Sequence, residues 1–171
     1  MNCLAAESSR PCAREKAHVD PVSPGKIDDQ ETLCRAGYTM HDRNGNPRIS
    51  LIRSNELASG ELSVWRLKPP RTELVEILEV LDARKPNQQE LLWIFGVKAK
   101  EVRGMLAASP LCAIDNTDCG PELDRHPAHA VLAGCEKLGF DALLKPDEDP
   151  TFMAVRRGLL ELFNRHRIWQ A

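Results

Sequence analysis

Four arginines, Arg48, Arg53, Arg66 and Arg103, sit in or beside apolar runs of this chain. A guanidinium fork in such a place binds phosphate or carboxylate through paired hydrogen bonds. Arg66 alternates with Leu62 and Val64, so on a strand it shares their face, and if that face is buried its charge needs a partner or a ligand. The same residue could also snorkel at the strand end beside Lys68. Two of the five histidines, His126 and His129, follow Asp124-Arg125. Imidazole titrates near neutrality, and a pair can act as acid and base in phosphoester chemistry. Pro127 keeps His126 out of a helix interior, and on a strand an offset of three turns the two rings to opposite faces. Only one would then enter a given site, and His129 equally suits the start of a half-buried apolar segment. The chemistry these residues allow is a small enzyme or binding protein for a phosphate-bearing ligand, with Arg66 and Arg103 as clamps and His129 as acid or base.

Cys112, Cys119, His126 and His129 are residue types that zinc prefers, in the pattern C-x6-C-x6-H-x2-H. Structural zinc sites bring cysteines closer together than this, so neither a metal nor another cofactor is expected. The chain has no GxxxxGK[ST], GxGxxG, HExxH or GxSxG motif.

Charge supplies a second reading. Acidic residues number 25 and basic residues 23, a net of −2, so no global positive field draws the protein to nucleic acid or a membrane surface. An aromatic content of 5% leaves little for base stacking. The balance is uneven along the chain. Residues 111–126 carry Asp115, Asp118, Glu122 and Asp124 against Arg125, a net of −3, whereas 150–171 carry Arg156, Arg157, Arg165 and Arg167 against Glu161, a net of +3. These are either ordinary solvated faces or an acidic loop and a basic helix that dock on a partner. On the docking reading Arg156, Arg157 and Arg165 bind another protein, and the chain is a non-enzymatic interaction protein.

Gly60-Glu61-Leu62-Ser63-Val64-Trp65-Arg66, then Gly96-Val97 with Val102-Arg103, then His126-Pro127-Ala128-His129-Ala130-Val131-Leu132 occur in that order. Over residues 32–134 this resembles a group of small uncharacterised bacterial proteins with an LSV strand and a late NPAHA segment. The resemblance brings no established activity and no catalytic residues; because each candidate site also has a plain structural reading, the first expectation is a non-enzymatic accessory member of a multi-component bacterial system. His126 stands where that pattern has asparagine. It also favours a strand over His129–Ala133, whereas Ala128, Val131, Leu132, Cys135 and Leu138 before Gly139 suit a capped helix.

The elements that would position these residues follow from periodicity and turn chemistry. Residues 1–30 mix serine, proline and alternating charge without an apolar period, and read as a flexible tail. Strands are expected near 33–39, 48–53 and 61–67, with Asn44-Gly45 as a turn that tolerates positive φ. Leu74, Ile77, Leu78 and Leu81 predict a helix over 72–84, and 91–97 reads as a buried strand. A helical turn over 98–104 and a strand over 111–114 follow. Asp149-Pro150 opens a last helix running to 166, with Phe152, Val155, Leu159, Leu162 and Phe163 inward and Arg156, Arg157 and Arg165 outward. The expected fold is α+β over 31–171: a mostly antiparallel sheet covered by the 72–84 and 150–166 helices. At 171 residues the chain is long enough to fold without disulfides or metal. The start lacks a secretory pattern and no run is long enough to span a membrane, which places the protein in the cytoplasm with its scattered cysteines reduced.

Overall fold

A computed structural model describes residues 25–38, 44–59, 62–68, 73–83, 91, 93–105, 111–115, 128–134 and 145–171. Its frame is a six-stranded antiparallel sheet in the order β4-β5-β2-β1-β3-β6. The strands are β1 (Thr32–Gly37), β2 (Leu62–Leu67), β3 (Trp93–Lys98), β4 (Leu111–Asp115), β5 (His129–Gly134) and β6 (His166–Gln170). Helices α1 (Ser54–Ser59), α2 (Leu74–Ala83), α3 (Ala99–Arg103) and α4 (Pro150–Asn164) pack around it. This is the α+β class, with the two long helices on opposite faces.

Alternation along each strand divides the core between those faces. On one side Leu33, Leu62, Val64, Phe95 and Val97 pack with Phe152, Val155, Leu159 and Phe163 of α4. On the other, Cys34, Trp65 and Ile94 meet Ile77 and Leu81 of α2. The start of α4 is fixed as its sequence requires: the Asp149 carboxylate accepts from the N–H groups of Thr151 and Phe152 at 2.8 and 3.0 Å, with Pro150 next in the chain. The segment that could be strand or helix is strand β5, paired with β2 through Trp65↔His129 and Leu62↔Leu132. Gly45 adopts φ 75°, the conformation expected of the Asn44-Gly45 turn.

Three expectations are corrected. Residues 48–53 do not form a strand. Ile49–Leu51 is a 3-10 turn, and Leu51 and Ile52 are buried. The last helix does not reach 166, because it ends at Asn164 and the chain turns at Arg165 into β6. The tail does not extend to residue 30, since Ile27 lies in the α4-side core and Glu31 is buried beside it. Residues 1–24, the remainder of the expected tail, lie outside the described residues.

β6 ends the sheet at one edge and β4 ends it at the other. The β6 part of the +3 segment and the beginning of the −3 segment, in β4, are therefore separated by four strands. Residues 116–127 lie outside the described residues. Among the described residues no helix is long and apolar enough to cross a membrane.

Candidate functional site

Arg66 is fully buried, on the Leu62 and Val64 face as its alternation predicts. Glu31 meets its charge. The guanidinium donates from Nε to Oε2 and from Nη2 to Oε1, both at 2.9 Å, and from Nη1 to the Gly25 carbonyl at 2.7 Å. Lys68 Nζ and the Asp28 N–H also reach Glu31 Oε1, at 3.0 and 2.9 Å. Burial alone would push the Glu31 carboxyl up. The hydrogen bonds from Arg66 and Asp28, the Arg66 charge and Lys68 outweigh it and hold the group below its ordinary range.

Arg103 acts on the same segment, donating to Asp29 Oδ1 at 2.5 Å and to the Ile27 carbonyl at 2.9 Å. Two more interior arginines serve the 3-10 turn. Arg35 Nε donates to the Leu51 carbonyl at 2.5 Å, its Nη1 to the Ser63 carbonyl, and its Nη2 to Glu56 at 2.7 Å. Arg156 donates to the carbonyls of Ile52 and Ile49 at 2.5 and 3.2 Å, and to Asp147 at 2.6 Å. These contacts share one physical cause. Residues 25–31 and 49–52 are irregular segments anchored by buried Ile27, Glu31, Leu51 and Ile52, and the carbonyls of Gly25, Ile27, Ile49, Leu51 and Ile52 accept from these guanidiniums. Leaving such a group unpaired costs about 1–3 kcal/mol, and each guanidinium serves several acceptors at once.

The clamps expected for a ligand are thus internal. Arg66 and Arg103 lie on the α4 side and hold the chain itself. His129 lies on the α2 side, buried edge-on against Trp65 with ring centroids 5.4 Å apart. Its Nε2 stands 2.7 Å from Ser63 Oγ, a diagonal across β2 and β5 that fastens one strand to the other. Arg66, Arg103 and His129 are therefore not brought into one site. Cys119 and His126 of the considered zinc pattern fall outside the described residues, and His129 Nε2 is already engaged by Ser63. Among the described residues no cluster of three potential ligands could hold a metal ion. Arg48 and Arg53 border the 3-10 turn, and exposed Arg53 pairs with Glu56 at 3.2 Å.

Arg156, expected on the outer face of α4, is also corrected: it is 8% exposed and bound to three acceptors. Arg157 and Arg165 are exposed as expected, and Arg167 in β6 joins them. The exposed charge of this region is these three arginines against exposed Glu161, a net of +2. Among the described residues none of the three has a carboxylate partner. Arg167 donates to Asn46 Oδ1 at 3.2 Å and lies over the Trp93 ring at 4.9 Å.

Beside Arg165 and Arg167 an open groove of about 380 Å³ is lined by Leu67, Val97, Ile168 and Thr32 together with Lys98, Arg165, His166 and Arg167. Register explains its place. The β3–β6 ladder ends at Gly96↔His166, so Val97 and Lys98 run on past the start of β6. A bulge between Ile94 and Phe95 makes Ile168 the extra residue of β6. Ile168 lies so close over Gly96 that a Cβ there would stand 2.2 Å from its Cδ1. Among the described residues no carboxylate lines the groove. Close by, Glu101 accepts the Lys98 N–H at 3.0 Å and stands 3.8 Å from His166 Nε2. Lys98 Nζ donates only to neutral oxygens in its described contacts, the Gln30 carbonyl at 2.9 Å and Thr32 Oγ1 at 2.8 Å. No family profile, curated protein or solved structure matches this chain.

Proposed function

We propose that the protein is a non-enzymatic interaction protein, an accessory member of a multi-component bacterial system acting in the cytoplasm. Its contact surface is the basic end of the molecule, where α4 gives way to β6, and its partner is another protein that presents an acidic segment. The observation that carries this reading is the exposure of Arg157, Arg165 and Arg167 without carboxylate partners among the described residues, beside a groove whose charged lining is entirely cationic. The interior arginines are committed to the fold. Among the described residues Arg157 and Arg165 make no such side-chain contact, and exposed Arg167 meets only Asn46 and the Trp93 ring.

Complementary charge acts mainly on association rate and partner choice, and it is screened over about 8–10 Å at physiological ionic strength. The test is binding of a fluorescent polyglutamate peptide, followed by anisotropy at low and at high salt. The triple variant Arg157→Gln, Arg165→Gln, Arg167→Gln should bind at least tenfold more weakly at low salt, and high salt should erase the difference. Equal binding by the triple variant and the native chain, or binding indifferent to salt, would refute the reading.

A further inference from the structure

We infer that the groove between the end of β3 and the start of β6 receives a bulky apolar side chain from the acidic segment of the protein partner. This inference rests on the functional reading above and specifies how the partner is recognised. The groove is not built for charge alone. Leu67 and Ile168 are half-buried apolar groups in its lining, while Lys98 and Arg165 supply cations beside them. Its volume of about 380 Å³ exceeds what a carboxylate requires and falls at the lower end of the roughly 300–1,000 Å³ of ligand pockets.

The apolar wall is fixed in place. Ile168 is seated over Gly96, where any side chain would collide with it, and it packs toward the α2-side core. A preset wall costs a ligand little ordering on binding. Carboxylates of the partner would meet Lys98 and Arg165 and orient the encounter. Burial of an apolar anchor, which supplies the larger share of affinity at a contact centre, would hold the complex. The recognised segment therefore carries acidic residues flanking one large apolar residue. A purely acidic stretch binds more weakly.

The experiment compares two fluorescent peptides of equal charge, acetyl-Glu-Glu-Asp-Phe-Glu-Glu and the same peptide with alanine in place of phenylalanine, by anisotropy with the full chain. The phenylalanine peptide should bind the native protein at least tenfold more tightly. Leu67→Ala and Ile168→Ala should each cut that advantage to about threefold or less, with folding checked by circular dichroism and either variant sufficing if the other fails to fold. Arg165→Glu should weaken both peptides. Equal affinity for the two peptides would overturn the groove inference and leave the charge reading standing, whereas failure of the native protein to bind either peptide would overturn both.

Discussion

Replacing Glu31 by glutamine removes the carboxylate that takes two hydrogen bonds from the fully buried Arg66 guanidinium. Breaking a buried ion pair by removing one partner costs about 3–5 kcal/mol, against 0–1 for an exposed pair. In a chain of this size about 1 kcal/mol moves the melting temperature by about 2–4 °C, so Glu31→Gln should lower it by about 6–20 °C. The pH dependence has a definite sign. The folded Glu31 carboxyl sits below its ordinary range, so its contribution is complete above the unfolded carboxylate value of about 4.3 and is lost as pH falls through the folded value. The gap between native protein and variant should therefore narrow on acidification and stay constant above about pH 5. Calorimetry or circular dichroism at several pH values measures both effects. A variant that melts within about 1 kcal/mol of the native protein would refute the reasoning, because a surface substitution commonly does no more than that. Such a result would return Arg66 to the role of a ligand clamp.

Arg156→Gln should destabilise the protein by about 2–4 kcal/mol, since it strands the carbonyls of Ile49 and Ile52, whereas Arg157→Gln should stay within about 0.5 kcal/mol; denaturant titration of the two variants tests the contrast. Leu159→Asp, which places an unpaired charge in the α4-side core, should abolish folding, and a soluble variant with native melting would show that the stripe is not buried. Burial pushes the Cys34 thiol up to about 12, so in the native state this cysteine should resist alkylation at neutral pH and react only on unfolding, as peptide mapping by mass spectrometry would reveal.

Much of the frame was legible because it follows from period and punctuation. The α4 stripe, its Asp149-Pro150 start and the alternation of Leu62, Val64 and Arg66 are local properties of the chain. Arg156 was legible too, although its neighbour Arg157 made the pair look like one outward patch. It lies four residues after Phe152, three before Leu159 and seven before Phe163, which puts it inside the apolar stripe. Arg35 has the same signature in alternation with Leu33. A charged residue in phase with a core face announces an interior charge. It does not announce what meets that charge.

For Arg66 the partner came from residues 25–31, a stretch with one buried apolar residue, Ile27, and no period to mark it as part of the fold. The expected strand at 48–53 failed for a related reason. Its β-branched and aliphatic residues suit a strand, yet several of its carbonyls are taken by Arg35 and Arg156, which are distant in sequence, and the backbone can curl. β6 escaped notice because its bulge at Ile168 breaks the two-residue alternation by which a short strand is recognised. The groove depends on that strand, so it was illegible for the same reason.

On the proposed function the interior arginines build the fold and recognition belongs to the exposed basic end. Amide chemical-shift mapping of the full chain during titration with the phenylalanine-containing acidic peptide tests it most directly. Shifts should concentrate at Lys98 and at Arg165 to Trp169, with the amides of Ser63, Arg66 and His129 unmoved. Shifts centred on Ser63 and His129, or on Arg66 and Arg103, would contradict it.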